Sequence, residues 1–307
     1  EMAIEEKHIE IIRLLKDAGA TYTIKDAVAA NDIKYVQKWI TNDKEKDIKE
    51  INESLYAASS NGSIDILKLL IEVGGDVNQA YKDGSTPLWI ASYRGHVDTV
   101  KVLLAAKDIN VNQASKEGAT PLYVASGRGH VDTVKVLLAA KDINVNQPDD
   151  EGTTPLWIAS RNGNTNIVSM LLASNGIKYN QPNNDSQTPL NKASQKGNTE
   201  IVRLLLQQPN IILDTTDDWN TTALGIAIEN KHTTIIQLLK DAGATYTIKE
   251  AVAANDINYV QQWITNDKEK DIKEINESLY KASLNNNIDI VKLFLAVKNI
   301  DINYSDT

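Results

Sequence analysis

TPLWIASYRGHVDTVKVLLAAKDINVNQASKEGA occupies residues 86–119, and three variants of it follow without a gap. They are TPLYVASGRGHVDTVKVLLAAKDINVNQPDDEGT at 120–153, TPLWIASRNGNTNIVSMLLASNGIKYNQPNNDSQ at 154–187 and TPLNKASQKGNTEIVRLLLQQPNIILDTTDDWNT at 188–221. The step is 34 residues, and a fifth start falls on schedule at Thr222. A fixed period of this size marks a stacked solenoid, in which one small unit recurs and buries its apolar face only against its neighbours.

The unit can be read residue by residue. Thr86 is an N-cap, and Pro87 takes the first helical position, where its missing N–H is harmless. Leu88, Ile90 and Ala91 give a short helix one apolar side, and Gly95 supplies the left-handed residue that ends it. Val97, Val100, Leu103 and Leu104 recur at helical spacing, leaving Asp98, Thr99 and Lys101 for water. AAKDINVNQASKEGA then reads as an exposed turn or finger, rich in Asn, Asp and Gly.

The recurring pattern TPLxxA…G(H/N)…V…LL…N resembles the ankyrin repeat family. That resemblance implies an all-α solenoid of antiparallel helix pairs with β-hairpin fingers. It also implies partners laid against a concave face made by the finger tips and first helices. Two departures stand out. Each repeat carries one residue more than the family's roughly 33, inserted where AAKDINVN replaces a Gly-Ala-Asp turn. The fourth position of the TPLH motif is Trp89, Tyr123, Trp157 or Asn191 instead of His. The insertion is expected to alter a convex-side loop and leave the helix stack alone.

Composition excludes several classes of function. A chain of 307 residues exceeds one compact core but is ordinary for an array that grows lengthwise. Its net charge of −9 argues against nucleic acid or anionic membrane as the main partner. The absence of Cys removes disulfides, thiolate zinc sites and cysteine nucleophiles together. No run of eighteen apolar residues occurs, and EMAIEEKHIE lacks a signal-peptide core. The expectation is a cytoplasmic protein of a reducing compartment.

A second, longer period overlies the first. From Ala3 to Ser59 and from Ala227 to Ser283 the chain repeats itself at an offset of 224, with eight of 57 positions changed. The helix-packing alanine falls at Ala27, Ala58, Ala91, Ala125, Ala159, Ala193 and Ala227, and GATYTIKDA after Leu15 leaves no room for a finger. The expected organisation is a C-terminal capping repeat at 1–22, a seven-repeat array at 23–246, and the opening repeats of a further array at 247–307. Both ends would then cut through a larger tandem protein. A single continuous superhelix with a lesion at each seam is the other reading. DKEKDIKEINES, at 43–54 and again at 267–278, is a charged connector with a solvated face.

Catalytic chemistry is hard to find. His8, His96, His130 and His232 share one slot, just before the second helix of a repeat, which makes the slot a structural address. Metal or catalytic work needs side chains converging within a few ångströms, whereas equivalent slots in stacked repeats lie roughly 10 Å apart. No phosphate loop, nucleophile elbow or HExxH is present. We expect no enzyme activity, no metal and no cofactor.

The partner-binding candidates follow from the register. Trp89, Tyr123 and Trp157, with Tyr56 before them, form an aromatic stripe. Tyr93, Arg94, Arg128, Arg161 and Lys196, with Gly127, Asn162 and Gln195, form a second stripe, largely basic. The finger tips add Asp83, Glu117, Asp150, Glu151, Asp185, Asp218 and Trp219. Aromatic residues and Arg dominate interface hot spots, but the aromatic slot is equally open to reading as a packing ladder, and the basic one as a solubility feature. The function expected is a monomeric scaffold that binds a segment of another protein. A mechanical spacer or strut, or the targeting region of a larger, host-directed protein with a catalytic domain outside this chain, is the alternative.

Overall fold

The computed structural model describes residues 10–11, 14–15, 17–42, 47–245, 247–266, 272–297 and 300–304. His8 lies outside them, as does part of the charged connector. Eighteen helices, and no strand, are assigned among the described residues. In chain order they pair as α1 (Ile24–Ala29) with α2 (Ile33–Asn42), α3 (Ile48–Asn61) with α4 (Ile64–Glu72), α5 (Pro87–Arg94) with α6 (Val97–Leu104), α7 (Pro121–Arg128) with α8 (Val131–Leu138), and α9 (Pro155–Asn162) with α10 (Thr165–Leu172). There follow α11 (Pro189–Lys196) with α12 (Thr199–Leu206), α13 (Ala223–Glu229) with α14 (Thr233–Asp241), α15 (Ile248–Ala253) with α16 (Ile257–Asn266), and α17 (Ile272–Leu284) with α18 (Ile288–Leu295). The chain forms two compact units, Glu1–Ile177 and Lys178–Thr307.

Local chemistry sets each helix. Thr86, Thr120, Thr154, Thr188 and Thr222 are N-caps whose hydroxyls accept from the amides three residues on. Pro stands at the start of α5, α7, α9 and α11, with its fixed φ already helical. Gly95 closes α5 at φ 76°, and a Cβ there would lie 2.6 Å from His130 Nδ1, so conformation and space both require glycine.

Within the first unit α3 packs on α5, α5 on α7 and α7 on α9, with Ala58, Ala91, Ala125 and Ala159 all at 0 % exposure along the contact. The second helices follow the same order, α4 to α6 to α8 to α10. Leu88, Leu103, Leu122 and Leu137 are fully buried, each stabilising the stack by roughly 2 kcal/mol from apolar burial alone. In the second unit α11, α13, α15 and α17 stack in sequence, so first helices still touch across residues 243–249.

The fingers are tight turns. Tyr81 N donates to Ser85 O at 2.8 Å, and the same closure recurs at Ser115, Asp149, Asn183 and Asp217. The hairpins inferred from family resemblance are therefore present as closed turns too short to carry paired strands. In the loop after each second helix the inserted residue has a defined place. Asp108, Asp142 and Asn210 take left-handed φ near 60°. Asn78 Nδ2 donates to Asp108 O at 2.8 Å, Asn112 Nδ2 to Asp142 O at 2.7 Å, and Asn180 Nδ2 to Asn210 O at 3.0 Å. One asparagine per repeat thus pins the extra residue of the next.

Candidate partner-binding face

The histidine slot lies against the end of the preceding repeat's first helix. His96 Nε2 pairs with Ser60 O at 2.9 Å, His130 Nε2 with Tyr93 O at 3.0 Å and His232 Nε2 with Gln195 O at 3.3 Å. Each ring thereby satisfies a carbonyl left open at the end of the preceding first helix. Asn164 and Asn287 do the same with their amide groups, toward Ser126 O at 2.7 Å and Val252 O at 2.6 Å. Burial, then the nearby Arg128 guanidinium, holds the His130 imidazole below its ordinary pKa. Among the described residues no group of three His, Cys, Asp or Glu is placed to hold a metal ion, and no helix is long and apolar enough to cross a membrane.

The aromatic stripe of the first unit bonds forward. Trp89 Nε1 donates to Ala119 O at 2.9 Å, Tyr123 Oη pairs with Thr153 Oγ1 at 3.1 Å, and Tyr56 Oη with Ser85 Oγ at 2.9 Å. Each polar tip therefore reaches the base of the following finger while the ring stays half-buried. Burial pushes the Tyr123 phenol up to about 12. Trp157 is buried, at 5 % exposure, and offers a partner far less surface than Trp89.

What remains open to solvent is organised by the neighbouring position. Trp89 and Tyr93, one turn apart on α5, stack with ring centroids 5.3 Å apart and 9° between planes. The Arg128 guanidinium, from the end of α7, lies 4.0 Å over the Tyr93 ring, a cation–π contact between consecutive repeats. Arg94 and Arg161 are exposed beside this row. Tyr56 stacks on Tyr81 at 4.8 Å and 16°. Tyr81 was not singled out in the sequence, although it stands in a finger slot otherwise held by Ser115, Asp149, Asn183 and Asp217.

The acidic margin is partly engaged. The Asp83 carboxylate accepts from the Ser85 hydroxyl at 2.5 Å and from its amide at 3.0 Å, and chiefly the first of these holds its pKa below the usual carboxylate value. Glu117 and Asp150 are exposed on their fingers, and the Glu117 carbonyl accepts from Asp150 N at 3.1 Å. In the second unit Lys196, Asp218 and Trp219 are exposed, Trp219 at 68 %. That unit also holds a cavity of roughly 430 Å³ walled in part by Trp219, Lys249, Tyr280 and Lys281. Register alone could not locate it, because it forms where a finger is missing.

Comparison with known proteins agrees with this architecture. A family model described as Ankyrin repeats (3 copies) matches residues 24–115, 106–183 and 179–250. Over 51 residues, 17% of this chain, there is 39% identity to the "Ankyrin repeat domain-containing protein oryK" of Aspergillus oryzae, covering 8% of that protein. A stretch of the same length is 37% identical to the "Notch-regulated ankyrin repeat-containing protein" of Xenopus tropicalis and 35% identical to that of Homo sapiens, covering 45% of each. The matched stretch thus spans less than half the length of these curated relatives. With family matches running from residue 24 to residue 250, the chain belongs to the ankyrin repeat family, whose repeats are in general protein–protein interaction modules.

Proposed function

We propose that the chain is a cytoplasmic, monomeric, cofactor-free scaffold that takes up a segment of a partner protein along its finger face. The observation that carries this reading is the Trp89–Tyr93–Arg128 cluster. Three side chains of the types that dominate interface energetics are packed against one another before any partner arrives, so little side-chain entropy is lost on contact. Arg94 and Arg161 extend the cationic row and Glu117 and Asp150 line the acidic margin, which favours a partner segment carrying both charges. In the second unit Lys196, Asp218 and Trp219 offer a similar combination. Residues 23–246 act as one seven-repeat array in this reading, with 1–22 and 247–307 belonging to neighbouring arrays.

The test is capture of partners from a cell lysate by the wild-type chain and by a Tyr93→Ala, Arg94→Ala, Arg128→Ala variant of unchanged Tm. Loss of captured species from the variant is expected. An identical captured set from both proteins would sink the reading.

A further inference from the structure

Up to residue 221 the fingers within each unit are joined by main-chain bonds. Lys116 N donates to Asp83 O at 2.9 Å, Asp150 N to Glu117 O at 3.1 Å and Asp218 N to Asp185 O at 3.2 Å. The next acceptor in that series is the Trp219 carbonyl. Among the described residues it receives only a 3.4 Å contact from the Thr221 hydroxyl of its own finger, and the six residues between α14 and α15 are too few for a further finger. The ladder stops there, and the Trp219 indole stands 68 % exposed at its end.

The roughly 430 Å³ cavity opens at this same place, over α13, α15 and α17 of the second unit. Two of its carboxylates are already engaged. Glu250 accepts from the Thr222 and Thr247 amides, both at 2.8 Å, and Glu277 pairs with Lys249 at 2.5 Å. Lys281 and Glu229 are exposed on the lining, and their side chains make no polar contact among the described residues. Leu284, 65 % exposed, adds an apolar side chain to the same lining as Trp219.

We infer that this gap is a docking slot in which an extended segment of a partner protein takes the place of the missing finger. A main-chain N–H of the segment donates to Trp219 O, as the next finger's amide would. An apolar side chain fills the cavity against Trp219 and Leu284, with a carboxylate for Lys281 and a cation for Glu229. An open main-chain acceptor supplies affinity and the neighbouring side chains supply selectivity, as in other strand-addition sites. The inference rests on the chain being an interaction module, yet it uses none of the residues of the Trp89 cluster.

The experiment is selection of randomised linear peptides, displayed on phage, against the full chain, followed by titration of the recovered peptides. Peptides with an apolar residue flanked by an acid and a base are expected. Their affinity should fall at least about tenfold for Trp219→Ala and for Lys281→Glu, and on N-methylation of one backbone amide of the peptide. Replacing the peptide's acid by Lys should restore binding to Lys281→Glu. Trp219 and Lys281 are exposed, so an unchanged Tm checks that each variant is folded. Recovery of no peptide, or of peptides that bind both variants as tightly as wild type, would overturn the slot. Peptides that respond only to Arg94→Ala and Arg128→Ala would overturn it while leaving the Trp89 face standing.

Discussion

The imidazole of His130 lies over the turn that ends α5, bonded to Tyr93 O, in a slot that Asn164 fills one repeat later with an amide. Because the folded chain holds this imidazole below its ordinary pKa, the unfolded chain protonates first on acidification. The contribution to stability is therefore complete above the ordinary histidine value of about 6.5 and is lost as pH falls toward the folded value. His130→Asn should keep the carbonyl bond and flatten that part of the stability profile, measured by urea denaturation across the acid range. A variant that loses stability on acidification as steeply as wild type would disprove the assignment. The shared slot was legible for His96, His130 and His232, since all three fall just before the second helix of a repeat and each ring meets a carbonyl at the end of the preceding first helix. Ser126 is a different case: among the described residues its hydroxyl is buried without a partner, and a buried unsatisfied group costs about 1–3 kcal/mol. Ser126→Ala should raise the Tm.

Helix α15 shows an element-level feature that one substitution between the two long copies conceals. Asp26, in the first copy, accepts from the Thr23 amide and hydroxyl of its own cap at 2.8 and 2.6 Å. Glu250, its counterpart, serves its own Thr247 amide with one oxygen and reaches the Thr222 amide and hydroxyl of α13 with the other, at 2.8 and 2.7 Å. One added methylene joins two caps across the fingerless link. The close passage also explains Gly225 inside α13, since a Cβ there would lie 2.1 Å from Glu250 Oε1. Glu250→Asp is expected to keep the local cap, release Thr222 and cost roughly 1.5–3 kcal/mol, the range for hydrogen bonds to a charged group. Hydrogen exchange at the Thr222 amide checks this, and unchanged protection there would refute it. Alignment of the copies exposed the Asp-to-Glu change, but its reach depends on how close α15 lies to α13, which a one-dimensional register does not contain. Fingers and aromatics divide in the same way. The turn chemistry was plain from Asp, Asn and Gly, whereas the 5 % exposure of Trp157 against the half-open Trp89 reflects neighbours in space.

At the scale of the whole chain, a solenoid's stability is the sum of repeat and neighbour terms, so protection should follow local stacking and not sequence. The molecule carries its own control for this. Residues 8–22 and 232–246 are nearly identical, differing at Ile9, Glu10 and Arg13, so intrinsic helix propensity is close to matched. Burial is not matched. Ile235 and Leu239 are 1 % and 0 % exposed, with α14 packed on α13 and α12, whereas Ile11 and Leu15 are 50 % and 54 % exposed. Since most helical stability in proteins comes from packing an apolar face, the Leu15 amide should exchange faster than the Leu239 amide by about two orders of magnitude or more. Leu239→Ala, which opens a cavity in a closed core, should cost about 2–5 kcal/mol, and Leu15→Ala a small fraction of that. Both comparisons can be made on one protein, by native-state hydrogen exchange and urea denaturation. Equal protection of the two leucines would mean that stacking does not govern stability along this chain.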